Sequence, residues 1–152
     1  MIVSEARLKH FGWGREGEGA SAEEEVFARG RAAQRFGGLP SDEVAPPRLE
    51  DIKLHPPRLK PPASLEAIAS VERYDRAAHT YGKSYPDYVR GLIGDYAAAP
   101  DVVIYPRNEQ DIAAALDWAD AAQASVTPFG GGSSVAGGSA PISTAVAVIG
   151  QP

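Results

Sequence analysis

From Pro100 onward the chain alternates apolar runs of strand length with one stretch of helical spacing, and no other feature limits the fold as much. Asp101-Val102-Val103-Ile104-Tyr105-Pro106 reads as a buried strand closed by proline. Asn108 is placed to cap a helix, with Asp111 in its positive first turn. Ile112, Ala115, Leu116, Ala119 and Ala122 then recur at helical spacing to about Gln123. Ser125-Val126-Thr127-Pro128-Phe129 reads as a second strand, and Thr144-Ala145-Val146-Ala147-Val148-Ile149 as a third. Between them lies a loop, Gly130-Gly131-Gly132-Ser133-Ser134-Val135-Ala136-Gly137-Gly138. Strand, helix, strand predicts a βαβ unit within an α+β fold. Two or three strands around one helix are too few for a finished domain. Residues 100–152 are therefore expected to be the incomplete beginning of a larger domain in a longer protein.

Residues 1–99 read differently, as an arm of helices and a proline-rich connector. Ser21 with Glu24 forms a capping-box pattern, which predicts a helix from Ala22 to Phe36 with Val26, Phe27, Ala33 and Phe36 as its apolar positions. Gly37-Gly38 ends it. Residues 40–62 hold seven of the 13 prolines, which excludes regular helix or central strand there and predicts an extended surface connector. A second helix is expected near Ser64 to Glu72, and a short one from Pro86 to Leu92.

Composition closes off several classes. There is no cysteine, so no disulfide scaffold, thiolate metal site or cysteine nucleophile. The longest aliphatic run, Ala145 to Ile149, is too short to span a bilayer. The first residues meet charge at once without an apolar signal core, so a cytoplasmic location is expected. The net charge of −5 argues against general nucleic-acid binding. That charge resides in residues 63–152, with ten acids and five bases, whereas residues 1–62 are balanced at ten of each. His10, His55 and His79 are far apart without a carboxylate at ligand spacing, so no metal site is expected and hydrogen-bonded histidines are the better reading. An approach of His79 to an active site is the second reading for that residue. Lys83 and Arg90 read as surface charges or ion-pair partners before anion ligands. Trp13 and Trp118 read as packing residues.

The chemistry sits in the glycine loop. Each glycine loses more chain entropy on folding than another residue would, and what is gained is a backbone able to turn successive N–H groups inward. Such a nest binds an anion, usually a phosphate, and Ser133 and Ser134 add hydroxyl donors. The alternative is a flexible surface loop; the position among strands favours phosphate. No Gly-Lys-Ser/Thr closes the loop, so it is not a P-loop. Gly82-Lys83-Ser84 lacks the glycine five positions earlier, where Ala77 stands. The third glycine of G-x-G-x-x-G would fall at Val135, so the dinucleotide fingerprint fails as well.

Pro128-Phe129-Gly130-Gly131-Gly132-Ser133-Ser134-Val135-Ala136-Gly137-Gly138, following Pro100-Asp101-Val102-Val103-Ile104-Tyr105-Pro106, resembles the pyrophosphate loop of FAD-binding domains of the vanillyl-alcohol-oxidase (PCMH) type. Three further stretches resemble the alkyldihydroxyacetonephosphate (alkylglycerone-phosphate) synthase branch of that family. They are Phe11-Gly12-Trp13-Gly14, Leu49-Glu50-Asp51-Ile52-Lys53-Leu54 and His79-Thr80-Tyr81-Gly82-Lys83-Ser84-Tyr85-Pro86-Asp87-Tyr88-Val89-Arg90.

The resemblance implies that Pro128, Phe129, Gly130, Gly131, Gly132, Ser133, Ser134, Gly137 and Gly138 bind the diphosphate of FAD. Some relatives tether FAD through a histidine in this loop; here neither histidine nor cysteine occurs, which implies non-covalent FAD. Ser133 stands where the family usually has threonine and keeps the hydroxyl. The implied whole protein is an FAD-dependent oxidoreductase acting on a hydroxy acid, or a synthase that exchanges an acyl for an alkyl group on a lipid precursor without net redox. The family's catalytic tyrosine and histidines lie far downstream, so no catalytic residue is expected among these 152 and the piece alone is expected to be inactive. A homodimer is compatible with the resemblance. The competing reading is a truncated, non-catalytic nucleotide-binding or interaction module.

Overall fold

The computed structural model describes residues 7–39 and 44–136 in full and the backbone of 145–149. The chain divides into two compact units, residues 1–9 with 13–45, and residues 10–12 with 46–152. In the first, Leu8 bridges Arg15 and the Arg7 guanidinium pairs with Glu16 at 2.7 Å. Helix α1 follows, Ala22–Phe36. Its capping box forms as the sequence predicts: the Glu24 N–H donates to Ser21 Oγ, and the Ser21 N–H donates to Glu24 Oε2 at 2.8 Å. That pull holds the Glu24 carboxyl below its ordinary range. The expected apolar face buries nothing, however. Val26, Phe27 and Phe36 are 72%, 70% and 78% exposed.

The second unit carries β1 (Ala69–Ser70), α2 (Arg73–Ala78), α3 (Tyr85–Leu92), β2 (Val102–Ile104), α4 (Glu109–Ala121), β3 (Ser125–Phe129) and β4 (Ala145–Ile149). The sheet order is β1-β2-β4-β3. β4 lies parallel between β2 and β3, with Val146 opposite both Val102 and Val126. β1 runs antiparallel to β2, Ala69 opposite Ile104. The α+β class and the three sequence-predicted strands are present. Residues 46–99 fall in the same compact unit as the strands.

Two segments depart from expectation. Ser64 to Glu72 is not a helix: a 3-10 turn, Glu66–Ile68, leads straight into β1. The apolar spacing is sound, since Leu65 and Ile68 are buried, but the Tyr105 N–H donates to the Ile68 carbonyl at 2.8 Å and draws the chain into the sheet. A helix of two turns gains too little to compete with a strand partner. From residue 44 on, the proline-rich stretch forms no helix or strand apart from a 3-10 turn at Leu49–Asp51, yet it does not merely lie on a surface. Ile52 is buried with Ala77, Tyr81 and Tyr96 in one apolar cluster. Burial pushes both phenols of that cluster, Tyr81 and Tyr96, up to about 12.

The other cluster joins Leu65, Ile68, Val102, Ile104 and Ala115, with Trp118 and Val126 packed against it. α4 begins as predicted, with the Asp111 N–H donating to Asn108 Oδ1 at 2.9 Å. It faces the sheet through Ala115, Trp118 and Ala119, while Ile112 and Leu116 are exposed. Trp118 thus packs as expected; Trp13 is 56% exposed. Asp101, wholly buried at the start of β2, is held by Arg58 through Nε at 3.0 Å, Nη2 at 2.8 Å and the backbone N–H at 2.8 Å. Buried Arg76 donates to the Pro100 carbonyl at 2.6 Å, so the proline-rich segment and α2 are both fastened to the root of the sheet.

Candidate functional site

Among the described part of the sheet the three parallel strands share one direction, and the glycine loop leaves the carboxyl end of β3. That end of a parallel sheet is where α/β folds place ligands. Pro128, Phe129, Gly130, Gly131, Gly132, Ser133 and Ser134 line a cavity of about 170 Å³. Whole drug-sized ligands need roughly 300–1,000 Å³, so this hollow is sized for one part of a larger ligand. Gly137 and Gly138 lie outside the described residues.

Phe129 forms the base of the loop and is 7% exposed. A Cβ on Gly132 would come within 2.8 Å of its Cζ, and Gly132 also has φ +65°. Both the backbone conformation and the ring beneath it therefore require glycine there. At Gly130 and Gly131 the opposite holds: a Cβ would meet no protein atom within 4 Å. Their bare backbone borders open space. Among the described residues the hydroxyls of Ser133 and Ser134 have no hydrogen-bond partner. The donor set that results is backbone N–H and neutral hydroxyl, which suits a phosphate oxygen.

Residues from another part of the chain support the loop. The backbone N–H of Lys83 donates to the Ser134 carbonyl at 2.6 Å. The His79 ring meets the Phe129 ring edge-on at 4.7 Å and the Tyr105 ring at 6.0 Å. His79 Nδ1 lies 2.6 Å from the Asp75 carbonyl, and a carbonyl only accepts, so Nδ1 carries the hydrogen. Burial lowers the His79 pKa from its ordinary 6.5, against the pull of Asp75. The Asp75 carboxylate accepts from Tyr105 at 2.7 Å and from the Ser70 hydroxyl. Burial first, and then Asp75, raise the Tyr105 phenol far above its ordinary range.

The Lys83 ammonium is half-buried, and desolvation lowers its pKa while Asp87 raises it. Arg90 pairs with Asp87 at 3.3 Å, the ion-pair role expected of it. His10 and His55 are hydrogen-bonded to carbonyls, at Pro47 and at Ala99. Among the described residues no three His, Asp or Glu side chains gather as metal ligands. No described helix is long and apolar enough to cross a membrane. The link between residues 79–83 and the loop escaped sequence reasoning because nothing local signals a contact across about fifty residues.

Residues 100–149 match the profile of a family described as "FAD binding domain", and FAD is the cofactor of that family. Part of the chain is similar in sequence to alkyldihydroxyacetonephosphate synthases. It is 29% identical over 109 residues to that of Dictyostelium discoideum, covering 67% of this chain and 18% of the relative. With that of Trypanosoma brucei brucei it shares 35% identity over 96 residues, covering 59% and 16%. A solved alkyldihydroxyacetonephosphate synthase structure, crystal form P1, superposes with a TM-score of 0.74 at 24% identity over 93% of this chain and 32% of its own, so the fold is shared. The chain thus spans less than a fifth of the length of these two curated relatives.

Proposed function

We propose that residues 128–134 hold the diphosphate of non-covalently bound FAD, and that the chain is the cofactor-binding beginning of an enzyme of the alkyldihydroxyacetonephosphate synthase type. The open, glycine-lined hollow at the carboxyl end of β3, inside the stretch that matches the FAD family, carries the reading. Gly130 and Gly131 leave room for phosphate oxygens to reach backbone N–H groups, and Ser133 and Ser134 add hydroxyl donors. No histidine or cysteine stands in the loop to form a covalent link. When bound, FAD supplies the exchange of an acyl for an alkyl group, or the oxidation of a hydroxy acid. The chain's own residues bind and orient it. The names of the relatives favour the exchange reaction on a lipid precursor.

The test is an absorbance spectrum of the full chain after incubation with FAD and desalting, beside a Gly131→Asp variant. An added side chain at 131 meets no protein atom, so the fold survives the change. Its carboxylate opposes the diphosphate by like charge. Flavin bands retained by the parent and lost by the variant are expected. Equal retention by both, or no flavin on protein that circular dichroism shows folded, would overturn the loop assignment.

A further inference from the structure

We propose that His79 is a positioning residue for the glycine loop, acting through Phe129, while the Lys83 backbone amide holds the loop at Ser134. The proposal rests on the reading of residues 128–134 as the diphosphate site. Five consecutive residues reach that loop at two points: the His79 ring touches Phe129 at its start, and the Lys83 N–H takes the Ser134 carbonyl five residues on. A carbonyl already engaged in this way does not confront an anion with a free lone pair.

The His79 ring cannot turn away easily. Its Nδ1–H is fixed on the Asp75 carbonyl, and its faces and edges are held between Tyr105, just past β2, and Phe129, the last residue of β3. Asp75 is itself anchored by Tyr105 and Ser70. Phe129 in turn lies directly under Gly132, the loop residue with positive φ. A side chain at 79 without a ring leaves Phe129 free to tilt. The loop then has to be ordered when the ligand arrives, and affinity falls by that cost. Burial lowers the His79 pKa, which favours the neutral form of the ring that props the loop.

The experiment is an FAD titration of the full chain, followed by flavin fluorescence. His79→Phe retains an aromatic edge on Phe129 and should bind FAD within about threefold of the parent. His79→Gln retains a donor for Asp75 but no ring, and should bind about three- to tenfold more weakly, the size of one aromatic pair. In a Phe129→Leu background the same Gln substitution should change affinity less than about twofold, because the route through the ring is gone. Parent-like binding by His79→Gln overturns the proposal, and so does an equal loss with and without Phe129. If His79→Gln fails to fold, His79→Leu, which fills the space without a ring, takes its place with the same expectations. Gly131→Asp in the same titration separates the two readings. If it binds FAD like the parent, the diphosphate assignment falls and takes this proposal with it. If it abolishes binding while His79→Gln does not weaken it, the His79 role alone falls.

Discussion

Asp101 illustrates how burial sets the weight of a single residue. Its carboxylate is fully buried and accepts three hydrogen bonds from Arg58. The bond to Asp101 raises the Arg58 pKa, whereas desolvation lowers that of Arg76, which turns to the Pro100 carbonyl instead. Removing the charge leaves buried Arg76 without its nearby anion and half-exposed Arg58 without its acceptor. Asp101→Asn should therefore cost about 3 kcal/mol, seen as a lower denaturant midpoint at unchanged slope. Asp111 accepts the same forked geometry from Arg107, at 2.9 and 3.3 Å, but at the surface. Asp111→Asn should move the midpoint far less, because exposed pairs are screened. Similar losses from both would refute the burial argument. Neither residue type nor spacing announces the first pair, since Arg58 and Asp101 are 43 positions apart.

At the scale of elements, the two capping boxes show what local sequence controls. Ser21 with Glu24 starts α1, and Ser84 with Asp87 starts α3 one residue before the expected start at Pro86. Both are settled within four residues, so the beginnings of these helices were legible. What a helix packs against was not. α3 carries Gly91 because Phe11 lies on it: a Cβ there would come within 2.6 Å of Phe11 Cε2. Phe11 also meets Tyr88 edge-on at 5.5 Å. Gly91→Ala would gain up to about 1 kcal/mol of helix propensity but displace the ring, an overpacking cost of about 1–3 kcal/mol. A net drop in melting temperature is expected, and a rise would mean that Phe11 is not seated there.

Across the whole molecule, stability should follow burial rather than helix content. The three residues of β2 are wholly buried, whereas α1 buries none. Hydrogen exchange followed by mass spectrometry should therefore leave the peptide covering Val102 to Ile104 protected longest and exchange α1 first. Protection of α1 equal to that of β2 would contradict this order. The glycine loop should gain protection when FAD is added, since its bare amides at Gly130 and Gly131 border open space.

Caps, turn-forming glycines and apolar periodicity act over a few residues, so the sequence alone determined α1, α4, the three parallel strands and the loop between the last two. It also carried the donor groups of that loop, because bare glycine backbone and hydroxyls are properties of residues before folding. Partners distant in the chain were decided only by the tertiary structure. β1 exists because Ile104 and Val103 offer Ala69 and Ser70 a strand to pair with. β4 stands between β2 and β3, although it follows both in sequence. His79 and Lys83 meet the loop because α2 and the turn after it are packed at the carboxyl end of the sheet. Such contacts depend on closing long loops against chain entropy, and no local spacing encodes which closures win.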